Sequence, residues 1–275
     1  MNTIKLLAAI ALIASSALAQ HRYSVSDEAS AGPGSPAVVV LRDNVAGVEA
    51  AVAPSEGGEL SSYRVKLKGE WIEFLYRARD YSPGTGFKGK APLLWPAVGG
   101  QYPVGTIPDA SCGEGTYSVA GKKYPMPCHG FARSLPWKET TRSADKGGAR
   151  VNVQLRDSSR TRSMYPFGFV LDASYELAGG HLTINYTVSS DRSNTDPMVF
   201  SIGNHIAFAI PFVKGTNPAD LTLRHPVLFN CCATRGVLSG EQKPRSSTLH
   251  EVGRLRRSRG NAARRVSQPA IRPPC

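Results

Sequence analysis

Two runs of alternating apolar and polar residues, joined by a pair of glycines, constrain the fold of this chain more than any other feature. In the first run the apolar side chains are Phe167, Phe169, Leu171, Ala173, Tyr175 and Leu177, and in the second Leu182, Ile184, Tyr186 and Val188. A period of two residues is typical of a strand with one buried face. Gly179-Gly180 between the runs permits a tight turn. The segment therefore predicts an antiparallel β-hairpin.

Strand patterns recur along the chain and helical patterns do not. Alternation or apolar runs predict strands from residue 38 onward, over residues 63–67, 71–76 and 151–155. No window shows a persuasive 3.6-residue period. Residues 80–128 are rich in glycine and proline and predict a long loop region with short strands, where sites are often built. The fold class is therefore mostly β, a large antiparallel β-sandwich or barrel.

The first 19 residues have the pattern of a secretory signal peptide. Lys5 precedes an uncharged apolar run from Leu6 to Leu18, and Ala17-Leu18-Ala19 is a small-x-small cleavage pattern. The alternative, an uncleaved anchor, is disfavoured because the run is short for a membrane span. We expect an exported protein, periplasmic or extracellular, without a membrane segment after cleavage. Residues 20–37 are small and polar and predict a linker.

The net charge of +12 is concentrated at the end of the chain. Residues 254–275 contain seven arginines, no lysine and no acidic residue and so supply +7, whereas residues 20–253 carry only +4. A basic arm for nucleic acid is one interpretation, and a solvated, disordered tail is the other. We favour the tail, because most of the net charge lies in this all-arginine segment and little in the domain before it, and we expect no nucleic-acid partner.

Five cysteines leave at least one without an intrachain partner. They are Cys112, Cys128, Cys231, Cys232 and Cys275. Cys112 and Cys128 could form one disulfide across a loop, and free buried thiols are the alternative. No C-x-x-C pair is present, and adjacent Cys128-His129 does not have metal-ligand spacing. The sequence therefore predicts no metal site.

The segment from Met198 to Ile210 is the strongest local signal for a site. As a strand, it would place Met198, Phe200, Ile202, Ile206 and Phe208 on one face and Ser201, Gly203, His205, Ala207 and Ala209 on the other. His205 would thus project among small residues, where a ligand has room. A core histidine bonded to the backbone is the alternative.

A second signal is Cys128-His129-Gly130-Phe131-Ala132-Arg133, at the end of the loop-rich region. Gly130 permits the close approach of another group. Arg133 could bind an oxygen-rich ligand or simply face water.

Taken together, these motifs resemble the aldose 1-epimerase family and the wider galactose mutarotase-like fold. The resemblance spans about residues 38–249 and rests on His-Gly-Phe-Ala-Arg with Trp137, Tyr165-Pro166-Phe167, Phe200-Ser201-Ile202-Gly203-Asn204-His205 with Phe208 and Pro211, and the segment from Pro92 to Gly100. It implies a large β-sandwich that acts on free aldose sugars.

The resemblance also implies roles for individual residues. Mutarotation opens a hemiacetal ring and closes it on the other face of the carbonyl, so an acid must protonate the ring oxygen while a base deprotonates the anomeric hydroxyl. The family's acid is a histidine, which implies His205, and His129 would help to hold the ring oxygen. Arg133 and Asn204 become candidate substrate-binding residues. No metal or organic cofactor is implied.

Two positions depart from the family pattern. Gly100 stands where the family usually has an arginine that contacts sugar hydroxyls. The family's base is a glutamate in the closing strands, and neither Glu241 nor Glu251 matches its setting, so none is assigned. We therefore expect a domain that lacks its C-terminal end. A non-catalytic carbohydrate-binding remnant of the same fold is the alternative function, and a sugar-phosphate epimerase is a less favoured one because of the expected export.

Overall fold

The computed structural model describes residues 21–29, 33–82, 88–101, 112, 115–217, 219, 248–255 and 263–267. The predicted signal peptide, residues 1–19, lies outside the described residues. In chain order the elements are β1 (Tyr23–Glu28), β2 (Val38–Asp43), β3 (Val48–Ala53), β4 (Glu59–Leu67), β5 (Glu70–Glu73), β6 (Leu93–Leu94), β7 (Gly115–Val119), β8 (Lys122–Met126), a 3₁₀ turn (Ala132–Ser134), β9 (Lys138–Asp145), β10 (Gly148–Arg156), α1 (Ser159–Met164), β11 (Phe169–Ala178), β12 (His181–Ser190), β13 (Met198–His205), β14 (Thr248–Leu255) and β15 (Ala263–Ser267).

Two five-stranded antiparallel sheets form the body of the fold. The first has the order β1-β2-β3-β4-β5 and the second the order β15-β12-β11-β10-β9. Their apolar faces meet in one core, to which the first sheet contributes Val48 and Tyr63 and the second Val151 and Tyr175. The predicted antiparallel β-sandwich is thus confirmed.

The predicted hairpin is β11 and β12, with Ala178 paired to His181 across the Gly179-Gly180 turn. The turn is also tied to the first sheet, because the Gly180 N–H donates to the buried Asp43 carboxylate at 3.0 Å. Side chains of β11 alternate between buried and half-buried along the whole strand. The period-two pattern therefore identified both the strands and their buried faces.

The linker prediction for residues 20–37 is wrong where β1 lies. Residues 23–28 pair with β2 throughout their length, and Tyr23 is buried. The sequence signal was weak because β1 has only Tyr23 and Val25 as apolar members of its alternation. As the edge strand of its sheet, β1 is held by backbone hydrogen bonds to β2, and side-chain alternation over so few residues does not predict such bonds.

The C-terminal segment also differs from the expectation. β14 runs to Leu255 and pairs with β13, and β15 pairs with β12. The arginine-rich stretch predicted as a disordered tail therefore contains strand at 254–255 and at 263–267. Ladder pairing is a backbone interaction, so it can form without the apolar alternation on which the prediction relied.

The sequence did not predict the short helix α1. Helix α1 has six residues and is capped by Ser158, whose hydroxyl accepts from the Thr161 N–H at 3.2 Å. A helix shorter than two turns has too few positions to show a 3.6-residue period. Within the described residues, none of the helices combines the length and hydropathy needed to cross a bilayer.

Candidate functional site

Strand β13 presents two different faces. Met198, Phe200 and Ile202 are buried in the core, whereas Ser201 and His205 are half-buried on the opposite face. The strand lies between β6 and β14, and the His205 N–H donates to the Pro92 carbonyl at 3.0 Å. The predicted alternation is therefore observed, and it directs His205 away from the core.

The second predicted histidine is held by an unusual backbone. His129 and Gly130 both adopt left-handed conformations, with φ of +65° and +71°. A Cβ on Gly130 would lie 2.2 Å from the Trp95 carbonyl oxygen, so only glycine fits there. The same carbonyl accepts from the N–H groups of Phe131 and Ala132, each at 3.0 Å. The turn is thereby fastened to the segment that follows β6.

A chain of hydrogen bonds connects β13 to His129. The Ser201 hydroxyl accepts from the Val98 N–H at 2.8 Å, and the next N–H, that of Gly99, donates to Nδ1 of His129 at 2.9 Å. The Gly99 carbonyl in turn accepts from the His129 N–H at 2.9 Å. Because Nδ1 is an acceptor here, the neutral imidazole of His129 carries its proton on Nε2.

These elements bring the two predicted histidines together. The ring centroids of His129 and His205 are 6.1 Å apart, with the ring planes inclined at 71°. The two rings come from a turn and a strand that are 76 positions apart in the sequence. A pair of half-buried imidazoles at this separation can exchange protons with a small molecule placed against both of them.

Arg133 lies close to the turn that carries His129. One guanidinium nitrogen donates to the Cys128 carbonyl at 3.0 Å. Its Nε is buried and has no hydrogen-bond partner among the described residues. Burial lowers the pKa of Arg133 from its usual value. The guanidinium remains a cation with an unused donor, which suits an oxygen-rich ligand.

Asn204 does not lie with the histidines. It is fully buried on the core face of β13, and its Nδ2 donates to the Tyr186 hydroxyl at 2.9 Å. We therefore reassign it from the candidate substrate-binding residues to the core. The strand period itself explains the placement, because residues 204 and 205 must point to opposite faces.

The structure resolves the alternatives for one pair of cysteines. Cys112 and Cys128 form a disulfide, and a ring nitrogen of His129 and the two sulfurs all lie within 4.8 Å of one another. While the disulfide is intact, the sulfurs cannot bind a metal as thiolates. Cys231, Cys232 and Cys275 lie outside the described residues.

A second polar cluster lies near the histidines and was missed in the sequence. Lys90 and Glu59 form an ion pair whose side chains are only 5% and 7% exposed. The Lys90 ammonium lies 4.4 Å from the centre of the Tyr81 ring, a cation–π distance. Burial raises the pKa of Glu59 to about 7, against the opposing effect of Lys90. The Lys90 carbonyl accepts from Ala207, two residues beyond His205.

The Glu59–Lys90 cluster carried no recognisable sequence signal, and Gly99 belonged to the family-like segment Pro92–Gly100 without a role of its own. Glu59 and Lys90 are 31 positions apart and belong to no spacing pattern, while Gly99 acts through its backbone. An isolated β-bridge between Leu60 and Ala91 brings Glu59 beside Lys90.

A cavity of about 570 Å³ adjoins the loop that orients His129. Its wall includes Pro96, Ala97, Tyr165, Phe200 and Ser201. None of the four predicted site residues lines it. The cavity is therefore a neighbour of the histidine pair and is not the space between the rings.

Comparison with known proteins agrees with this architecture. A galactose mutarotase-like protein from Clostridium acetobutylicum superposes with a TM-score of 0.54 at 20% identity, covering 72% of this chain and 57% of that one. The Slr1438 protein from Synechocystis sp. PCC 6803 gives 0.53 at 28% identity, covering 66% and 57%.

Two curated relatives share part of the sequence. Proteins from Salmonella typhimurium and Escherichia coli, each named "Putative glucose-6-phosphate 1-epimerase", are 27% and 26% identical over 122 residues. The matched segment is 44% of this chain and 34% of each relative. The chain thus aligns with about a third of the length of the curated relatives it matches.

The antiparallel β-sandwich is the fold of galactose mutarotase-like proteins. The model of the aldose 1-epimerase family matches residues 38–245. This chain belongs to the aldose 1-epimerase family, as the motifs around His129 and His205 predicted.

Proposed function

We propose that this protein interconverts the α and β anomers of free aldoses by acid–base opening of the sugar ring. The proposal rests above all on the proximity of His129 and His205, whose ring centroids are 6.1 Å apart. Ring opening requires a proton at the ring oxygen, and imidazole is suited to supply it because its ordinary pKa lies near neutrality.

The two histidines take different roles in this proposal. His205 projects from β13 and acts as the acid that protonates the ring oxygen. The Gly99 N–H occupies Nδ1 of His129, so Nε2–H of His129 is the donor that helps to hold the same oxygen. The bond from Gly99 therefore keeps the proton of the neutral ring on Nε2, where it is available to a ligand.

Arg133 supplies a third contact. Its half-buried guanidinium carries five N–H donors, and one of its nitrogens already donates to the Cys128 carbonyl, so further donors remain for a ligand. Sugar hydroxyl groups provide acceptors for these donors. We therefore retain Arg133 as a substrate-binding residue and propose that it fixes the sugar relative to the two imidazoles.

Deprotonation of the anomeric hydroxyl needs a base as well. Backbone pairing places Thr248 opposite His205 and Glu251 opposite Ile202. Glu241 lies outside the described residues. A comparison of Glu251→Gln and Glu241→Gln therefore tests whether either carboxylate is the base, because loss of a general base costs a factor of about 10² to 10⁴ in rate.

Two observations bear on the substrate and the place of action. The curated relatives carry names that refer to glucose 6-phosphate. The signal-like segment before Gln20 and the Cys112–Cys128 disulfide favour action outside the reducing cytoplasm, where free sugars are the expected substrates. We therefore propose free aldoses, with periplasmic or extracellular action.

Polarimetry of freshly dissolved α-glucose tests the proposal directly. The purified 275-residue chain should accelerate the decay of optical rotation well beyond buffer alone, and a parallel assay with α-glucose 6-phosphate tests the choice of substrate. Saturation-transfer NMR on the same sample distinguishes the alternative, a carbohydrate-binding remnant. Sugar binding without faster anomer exchange would contradict catalysis and favour that remnant.

A further inference from the structure

Three potential metal ligands lie close together, and one of them is His129 of the histidine pair. The sulfurs of Cys112 and Cys128 and a ring nitrogen of His129 all lie within 4.8 Å of one another. In the oxidised protein the sulfurs are joined as a disulfide. The cluster is therefore closed to metals in this state, and reduction of one bond would convert it into two thiols and an imidazole.

The resulting ligand set matches zinc in chemistry and in size. Zinc binds thiolate sulfur at about 2.3 Å and imidazole nitrogen at about 2.0 to 2.1 Å in tetrahedral geometry, so its ligand atoms lie about 3.5 to 3.8 Å apart. After reduction the two sulfurs must separate from a bond length of about 2 Å to about 3.8 Å, while the imidazole nitrogen already lies within 4.8 Å of both. Two cysteines and one histidine also leave a fourth position for water.

The exposure of the three residues permits a reductant to reach the disulfide. Cys112 is exposed to solvent, whereas Cys128 is 9% exposed and His129 is half-buried. A reductant can therefore reach the disulfide from the side of Cys112. Cys128 and His129 belong to the turn fastened to the Trp95 carbonyl, so two of the three ligands are already held in place.

We propose that Cys112, Cys128 and His129 form a latent zinc site that opens when their disulfide is reduced. A dithiol reductant gives two electrons and two protons to the disulfide, yielding two thiols, and is itself oxidised to a disulfide. Zinc then binds both sulfurs as thiolates, and the two thiol protons pass to water. His129 contributes one ring nitrogen as the third ligand.

A consequence for the sugar site rests on the proposed function. One nitrogen of His129 accepts from Gly99, and the other is the donor assigned to the ring oxygen. Zinc must displace one of these two interactions. Stoichiometric Zn²⁺ should therefore inhibit mutarotation by the reduced protein and leave the oxidised protein unaffected.

The test is a cobalt titration of the full chain, because Co²⁺ occupies zinc sites and shows a charge-transfer band when thiolates bind it. Cys231, Cys232 and Cys275 are changed to serine, so that Cys112 and Cys128 are the only thiols. After reduction with a phosphine, one equivalent of Co²⁺ should produce the thiolate band, and Zn²⁺ should abolish it. The oxidised sample should give no band.

Matched variants identify the ligands. His129→Gln should weaken Co²⁺ binding by more than the roughly 10- to 100-fold that loss of an outer-shell partner costs, whereas His181→Gln should not change it. Cys128→Ser should remove the band. A reduced protein that unfolds or gives no band would overturn the proposal, as would equal Co²⁺ affinity in the His129 and His181 variants.

The cobalt titration and the anomer-exchange assay test the two proposals separately. A protein that catalyses anomer exchange but shows no cobalt band refutes only the zinc site. A protein that shows the band but no anomer exchange refutes only the proposed function.

Discussion

The histidine pair and the Glu59–Lys90 ion pair are both connected to the backbone of residues 90–92, but they differ in burial and in charge. The His205 N–H donates to Pro92, and two residues later Ala207 donates to the carbonyl of Lys90. The histidine pair is half-buried, and the Gly99 N–H donates to Nδ1 of His129, which fixes the tautomer of that ring. The Glu59–Lys90 pair is almost fully buried, and its carboxyl and ammonium groups face each other.

The difference shows that the degree of burial decides whether a polar group can contact a ligand or must pair with another group of the protein. A half-buried imidazole can meet a ligand and exchange a proton with it. A buried carboxylate and ammonium must satisfy each other, because an uncompensated charge in the interior costs several kcal/mol. We therefore infer that the histidines carry the chemistry and that Glu59 and Lys90 hold the adjoining backbone.

The largest expected effect comes from removing the cation of the buried pair. Lys90→Met keeps the side-chain length but leaves Glu59 without its counter-charge, so we expect a loss of about 3 to 5 kcal/mol in unfolding free energy at pH 8. Chemical denaturation measures it. Lys138→Met, on exposed β9, is the control and should change stability little. A loss no larger than that of the control would show that the ion pair contributes nothing.

The second effect is a pH dependence that belongs to Glu59. Its folded pKa of about 7 exceeds the ordinary 4.5, so the folded protein holds a proton that the unfolded chain releases. The stability from this group is complete below about pH 4.5 and is lost as the pH rises through 7. The shift corresponds to about 3 kcal/mol between pH 4.5 and 8.

Glu59→Gln removes this titration and should flatten the stability profile over that range. Thermal unfolding at pH 5 and at pH 8 gives the comparison, with the wild-type chain measured in the same buffers. A variant that loses as much stability as the wild type between these pH values would assign the dependence to another group.

The third prediction concerns chemistry alone. His205→Asn should lower kcat for mutarotation by about 100-fold or more, the usual contribution of a general acid, while the melting temperature stays nearly constant. His181→Asn, at the Gly179-Gly180 turn, is the matched control. Unchanged turnover in the His205 variant would refute the acid assignment and with it the contrast between the clusters.

The sequence predicted the strands and the two histidines well, and it predicted the backbone contacts and the buried ion pair poorly. Alternation along β11, β12 and β13 identified the sandwich and the direction of His205, because successive side chains of a strand point to opposite faces of the sheet. The motif around His129 was found, but its tautomer depends on Gly99, whose contribution is a backbone N–H. Glu59 and Lys90 come together beside an isolated β-bridge between Leu60 and Ala91, which no local pattern in the sequence indicates. β1 was missed for want of apolar positions, and Asn204 was grouped with its neighbour although adjacent strand residues face opposite ways.

The smallest expected effect tests that last distinction, between the two faces of β13. Tyr186→Phe removes the hydroxyl that accepts from Asn204 Nδ2 at 2.9 Å. The Asn204 Oδ1 already lacks a partner among the described residues, so the buried amide would have none at all. We expect a loss of about 1 to 3 kcal/mol in stability, with kcat unchanged because Asn204 faces away from the histidines.

The double variant Tyr186→Phe with Asn204→Leu sharpens this test. Replacing both partners by apolar groups of similar shape removes the unsatisfied amide, so the double variant should regain most of the lost stability. Denaturant unfolding of both variants measures the recovery, and polarimetry on the same samples measures turnover. If Tyr186→Phe instead raises KM for the sugar while stability is unchanged, Asn204 belongs to the substrate site, and the two faces of β13 are not separated in function as the buried hydrogen bond indicates.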